Sequence, residues 1–233
     1  MVAKTLYLEG QIFWGGMFLL FLGLSGKSRK IIFLGALGAM PLAIIGFVFK
    51  EVWNPRRVME GSVGIEDLLF CFFSGGLSMA LVNWVIDYTG TSLRVYFRWR
   101  RMLLTSVWGA GIMISLFLLG IRNYLNIYLC LVFTAILLIA LERPVWKVFL
   151  AGSVFFLIFY ISGLQLGFLI WPDLIQLWTI ENLTGILIGR VPLEELIWAF
   201  LFGGTWPVIF LYVSGPPAAE FKWRKFRHIG HQK

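Results

Sequence analysis

Four carboxylates stand where two long uncharged stretches open: Glu66-Asp67 in GSVGIEDLLFCFFSGG and Glu194-Glu195 in GRVPLEELIWAFLFGG, 128 positions later. Such side chains are costly in hydrocarbon, and where they occur they bind ions or move protons. The chemistry they bring is acid/base: a desolvated carboxylic acid gives up a proton near neutral pH, and a neighbouring carboxylate takes one. The same offset matches Gly61 with Gly189, Val63 with Val191, Leu68 with Leu196, Phe72 with Phe200, Gly75-Gly76 with Gly203-Gly204, and Asn54 with Asn182. Glu66 and Glu194 are the repeated identities and the expected inward-facing pair. Successive helical residues point about 100° apart, so Asp67 and Glu195 are expected to turn aside and hold basic groups, water or the first acids. Local helix physics offers a competing role. With Pro192 at the first helical position, Glu194 and Glu195 would sit where unpaired amides and the helix dipole favour negative charge, and would cap.

The elements that position these acids are membrane helices. Hydrophobic residues make up 59% of the 233 residues and charged residues 14%, which excludes an ordinary soluble domain. Seven uncharged stretches run 10–26, 31–49, 68–86, 102–121, 123–141, 148–172 and 196–219. Each has about the length that carries a helix across a bilayer. Their apolar residues are continuous, not alternating, which disfavours a barrel. The expected fold is all-α, an internally duplicated bundle of about seven transmembrane helices. Residues 1–121 form the first repeat, 122–219 the second, and 220–233 a basic tail. Arg122 alone parts the fourth and fifth stretches, which predicts a tight hairpin. The apolar segment 171–191 is open to three readings: an interfacial helix, a re-entrant loop or a partial eighth crossing.

An amino terminus outside the cell places 14 of the 20 lysines and arginines on the inner side, so the carboxyl terminus is expected in the cytoplasm of a multi-pass cell-membrane protein. The net charge of +8 then needs no nucleic-acid partner. Arg98-Trp99-Arg100-Arg101 and Lys222-Trp223-Arg224-Lys225-Phe226-Arg227 suit an anionic leaflet. The first stretch has its basic residues after it and reads as a retained helix, not a cleaved leader. Cys71 and Cys130 lie in apolar spans without a second thiol or clustered histidines, and His228 and His231 lie in the tail. A packing role is expected for the cysteines, with no metal and no cofactor. Nucleotide, P-loop, nucleophile-elbow and HExxH motifs are absent.

IGRVPLEELIWAFLFGG, with the earlier WNPRRVMEGSVGIEDLLF, resembles the repeated PxEE-type motif of the membrane-integral lycopene cyclase domain, found in heterodimeric bacterial carotenoid cyclases and their fused archaeal and fungal relatives. The family motif falls on Pro192, Glu194 and Glu195 in the second half, and on Gly64, Glu66 and Asp67 in the first. Gly64 thus stands in place of the proline and Asp67 in place of the second glutamate. The aromatic pair that usually follows is partly kept, as Leu69-Phe70 and Ile197-Trp198. The resemblance implies non-redox cyclisation of the end group of a lipid-soluble polyene. A carboxylic acid protonates the terminal double bond, an internal alkene attacks the cation, and a base removes a ring proton. Glu194 would be the first acid or base and Glu66 its partner, with Glu195 and Asp67 beside them. Phe70, Phe72, Phe73, Trp198 and Phe200 would offer ring faces to the cation, with Asn54 and Asn182 at the substrate. Two other classes remain open: a proton-coupled transporter of a lipid or small molecule built on the repeat, and a non-catalytic membrane scaffold.

Overall fold

The computed structural model describes residues 5–49, 52–53, 55, 57–58, 63–87, 97–121, 123–214 and 222–223. Seven of its helices are long and apolar enough to span a membrane, and the protein is an all-α polytopic membrane bundle. The first crossing is α1 (Leu6–Leu24). The second is composite: α2 (Arg29–Ala39) gives way at Met40–Ile45 to a 3-10 turn, then to the short α3 (Gly46–Phe49). Pro41 lacks the amide that would continue an α-helix there. The remaining crossings are α4 (Ile65–Val85), α5 (Trp99–Leu118), α6 (Asn123–Leu141), α7 (Trp146–Ile170) and α8 (Leu193–Ser214).

The expected hairpin between the fourth and fifth stretches is present, and its chemistry is local. Gly120 takes a left-handed φ of 70°. Its amide donates to the Phe117 carbonyl at 2.9 Å and the Ile121 amide to Leu116 at 3.2 Å, a Schellman closure that satisfies the last carbonyls of α5. Only Thr105 and Leu116 of α5 are buried, and the helix leans on α6 and α8 from outside. The interior belongs to two sets of three: α4 packs on α1 and α2, α8 packs on α6 and α7, and α4 joins them by touching α7 and α8.

Glycines set how closely these helices approach. A side chain at Gly76 would collide with the Phe18 ring, and one at Gly152 would collide with the Gly203 carbonyl. That carbonyl has no intrahelical donor four residues on, because position 207 is a proline. The bare face of Gly152 lets α7 cover it closely. The glycine pairs therefore serve contact between helices, the usual use of small residues in a bilayer.

Among the described residues there are also four two-residue strands: β1 (Ile86–Asp87), β2 (Leu187–Ile188), β3 (Val191–Pro192) and β4 (Lys222–Trp223). β1 pairs antiparallel with β4, which brings the tail back to the end of α4, and β2 pairs with β3. Segment 171–191 contains no α-helix, so neither an interfacial helix nor an eighth crossing forms. Pro172 opens a 3-10 turn through Leu177, a second turn covers Ile180–Asn182, and the β2–β3 hairpin reverses at Gly189 with φ 65°. The polar and turn-forming residues of this stretch outweigh its mean hydropathy. It folds as a cap over the start of α8, and Pro192 ends β3 one residue before the helix, not inside it.

Candidate functional site

α4 starts after Gly64, whose backbone is extended (φ −119°, ψ −178°). Asp67, three residues on, accepts the Gly64 amide at 2.7 Å, which satisfies a donor at the helix start. The same carboxylate takes a two-pronged ion pair from Arg57, Nε to Oδ2 at 2.6 Å and Nη2 to Oδ1 at 3.1 Å, and the Tyr7 hydroxyl from α1 at 3.1 Å. The Arg57 and Asp67 side chains are 2% and 7% exposed, so this is a fully interior pair. Burial works to lower the basicity of the guanidinium, but the hydrogen bond and charge of Asp67 outweigh it and hold Arg57 above its ordinary value.

Glu66 points elsewhere. Its Oε1 accepts the Val58 amide at 2.7 Å, and its Oε2 is buried with no hydrogen-bond partner among the described residues. Gly64 makes room for it: a Cβ there would lie 2.5 Å from that oxygen and 3.1 Å from Arg57 Cδ. Glu194 repeats the pattern at α8. Its Oε1 accepts the Thr184 amide at 2.6 Å, and its Oε2 is likewise buried and unpartnered. Each repeated glutamate thus holds the loop in front of its own helix. Glu195 accepts the Tyr160 hydroxyl from α7 at 2.6 Å and the Trp178 indole at 3.0 Å, and the Tyr128 hydroxyl of α6 donates to the Glu194 backbone carbonyl at 3.0 Å. Of the four acids only Asp67 caps its own helix. Among the described residues, no basic side chain pairs with Glu194 or Glu195.

The loops ahead of α4 and α8 meet above these acids. Trp53 and Trp178 form an antiparallel bridge, their rings 4.9 Å apart at 62°, and the Thr179 amide donates to the Val52 carbonyl at 2.9 Å. Beneath lies a cavity of about 70 Å³ lined by Val52, Trp53, Phe70, Tyr128, Trp178, Leu183, Glu194, Glu195 and Trp198. Phe70 and Trp198, equivalent at the 128-residue offset, stack on each other at 5.3 Å across the boundary between α4 and α8.

The sequence-predicted residues divide accordingly. Glu194, Glu195, Phe70 and Trp198 share the cavity. Glu66 and Asp67 do not line it, because Val58 and Arg57 hold them in the preceding loop. Both members of the Glu194-Glu195 pair do line it, against the expectation that one turns aside: the cavity wraps around a helix end, and two flexible side chains reach it from different angles. Phe72 and Phe73 face α1 and α2, Phe72 against Phe18 and Phe33, and Phe73 against Phe18 and the bare Gly15. Phe200 meets Phe149 of α7 at 6.2 Å. Asn182 is exposed in its 3-10 turn, and Asn54 lies outside the described residues.

Trp53, Trp178, Tyr128 and Tyr160 were not among the expected site residues. A three-residue shift from the main offset would align Trp53 with Trp178. The tyrosines are hydroxyls within apolar helices that need buried acceptors, a signal readable in the spans themselves.

No family model, curated protein or solved structure matches the chain. Fold and site together define a multi-pass, all-helical membrane protein with seven apolar crossings and a cavity, mostly aromatic, that holds a buried acid, Glu194, beside a half-buried one, Glu195.

Proposed function

We propose that the Glu194–Glu195 cavity is a proton-transfer site for cyclising the end group of an apolar polyene, in the manner of the lycopene cyclases whose acidic motif this chain resembles. One observation carries the reading. Glu194 presents an unpartnered, buried Oε2 beside a second acid, in a cavity whose other walls are mostly aromatic. Glu194 is the donor. Glu195, whose two oxygens are oriented by the Tyr160 hydroxyl and the Trp178 indole, is the acceptor.

The bond changes balance without a redox partner. The proton from Glu194 adds to the terminal alkene and leaves a cation, the internal alkene closes the ring carbon–carbon bond, and Glu195 removes a ring proton. That proton returns to Glu194 for the next turnover. The rings of Trp198 and Phe70 suit the transient cation. Glu66 and Asp67 support this reaction by shaping the first-half loop. The two sets of three helices are related halves in this account, with the offset identities as their trace.

A cavity of about 150 Å³ is what admits a benzene ring, so the present space is too small for a six-membered end group. Substrate entry therefore requires the Trp53–Trp178 lid to swing aside. We also assign the lid face to the outside of the cell and the opposite end, where Arg101 bonds the Tyr212 carbonyl and pairs with Glu142, to the cytoplasm.

The test is expression in a membrane host that accumulates lycopene, with the pigments separated afterwards. Cyclic products are expected, and E194Q, at equal membrane abundance, returns the acyclic pigment. Unchanged pigment with the unsubstituted protein stably present overturns lycopene as substrate.

A further inference from the structure

A second, smaller cavity of about 30 Å³ lies between α1 and α7 and shares Trp53, Phe70 and Trp178 with the acid cavity. Its lining is apolar apart from three groups that matter: Tyr7, Gln11 and Tyr160. All three are 3% exposed. Gln11 Oε1 is buried there without a partner among the described residues, a state that carries the full desolvation cost of the amide oxygen. The tyrosine hydroxyls have already committed their protons, Tyr7 to Asp67 and Tyr160 to Glu195, and each oxygen retains lone pairs that can accept. A buried water needs about 10–15 Å³ and two to four polar partners. Volume and partners both fit one or two waters and nothing larger.

We propose that this cavity is a water site in which Gln11, Tyr7 and Tyr160 hold water as the middle link of a hydrogen-bonded chain running Asp67, Tyr7, water, Tyr160, Glu195. Two waters supply the protons this needs: one donates to Gln11 Oε1 and the Tyr7 oxygen, the other to the Tyr160 oxygen and to the first water. The chain joins the second acid of one motif to the second acid of the other, across the boundary between the helix sets. Gln11 and Tyr7 are then positioning residues: they act on Glu195 through the water and Tyr160, without touching the acid cavity's occupant. This also gives the Arg57–Asp67 pair a role at a cavity it does not line, since it fixes the far end of the chain. The use of the chain in catalysis rests on the proposed cyclase reading; the water site itself rests on the cavity and its three polar groups.

The experiment is infrared spectroscopy of the full chain in lipid without substrate, as acid-minus-alkaline difference spectra in ordinary and heavy-oxygen water. E195Q identifies the Glu195 carboxyl band. We expect an isotope-sensitive water O–H band in the unsubstituted protein, its loss in Q11M, and a shift of the Glu195 band in both Q11M and Y7F. Y7F removes one hydroxyl that reaches Glu195 only through the water and Tyr160, so a purely structural role for Tyr7 leaves that band in place. Q176M, at an exposed glutamine bonded to Asp173, serves as control and moves neither band. An unshifted Glu195 band in Y7F, or a water band that survives Q11M, overturns the proposal. If the bands behave as expected while the lycopene host yields no rings, the cyclase reading falls and the water chain stands.

Discussion

Removing the negative end of the interior ion pair gives the sharpest check on the first-half motif. In D67N the acceptor for Tyr7 survives in the amide oxygen, but the two-pronged acceptor for Arg57 does not. The guanidinium side chain is 2% exposed, so it cannot recover hydration without opening the loop. Breaking a buried pair by removing one partner costs about 3–5 kcal/mol, because an uncompensated charge is left inside. At 1.4 kcal/mol per factor of ten, that lowers the folding equilibrium by roughly two to three and a half powers of ten. Replacing both partners with apolar residues of similar volume is often near neutral. R57M/D67L is therefore expected to be closer to the unsubstituted protein than D67N is. Unfolding in mixed micelles, followed by tryptophan fluorescence, reads the cycle of unsubstituted protein, R57M, D67L and R57M/D67L, with D67N alongside. A D67N loss below about 1 kcal/mol, or a double variant that sums the two single losses, refutes the account of a desolvated, mutually dependent pair. Alkali is no substitute for the mutation. Arg57 is held above an already high value, so its contribution is fully present at lower pH and is lost only as pH rises beyond the working range.

Three further outcomes test other parts of the structure. G152L should be destabilised by more than the about 1–3 kcal/mol typical of overpacking, since it meets the Gly203 backbone and not a movable side chain; equal thermal midpoints would contradict the close α7–α8 approach. G189V forces a β-branched residue to φ 65° in the β2–β3 reversal and should cost about 1–3 kcal/mol, while G16V, on an exposed face with open space at its Cβ, should cost less in the same denaturation assay. T184P removes the amide that Glu194 Oε1 accepts, and the lid should loosen: faster hydrogen exchange across 174–192 is expected, with exchange in α2 unchanged.

The crossings were legible because hydrocarbon imposes one rule over many residues: uncharged stretches of helical length mark the helices, and the observed spans lie over them. The start of α8 was legible for the same reason, and Phe70 and Trp198 through the offset that makes them equivalent. The pairing of Glu66 with Glu194 was not. It rested on identity at the offset, whereas the orientation of each carboxylate is set by a particular backbone amide, Val58 or Thr184, in loops whose course no periodicity describes. The same holds for Arg57. It is one of two adjacent arginines before the motif, and its partner is fixed only once the loop folds back on α4. Phe72, Phe73 and Phe200 show the opposite failure. In a chain with 22 phenylalanines, nearness in sequence to an acid says little about which rings border it. Composition left segment 171–191 open among three readings: its leucines and isoleucines allowed an interfacial helix or a partial crossing, while Pro172, Gly185 and Gly189 dictated turns.

The isolation of α5 has an evolutionary corollary. On the outward face of a helix with only two buried residues little besides greasiness is demanded, so those positions are free to drift while they stay apolar, whereas Arg101, tied to Tyr212 and Glu142, is not. Chain continuity near Gly120 likewise contributes little to how α4 recognises α7 and α8. A gene break at that hairpin would leave two polypeptides whose mating surfaces are already complete, a route by which a single-chain bundle and a two-subunit one could interconvert.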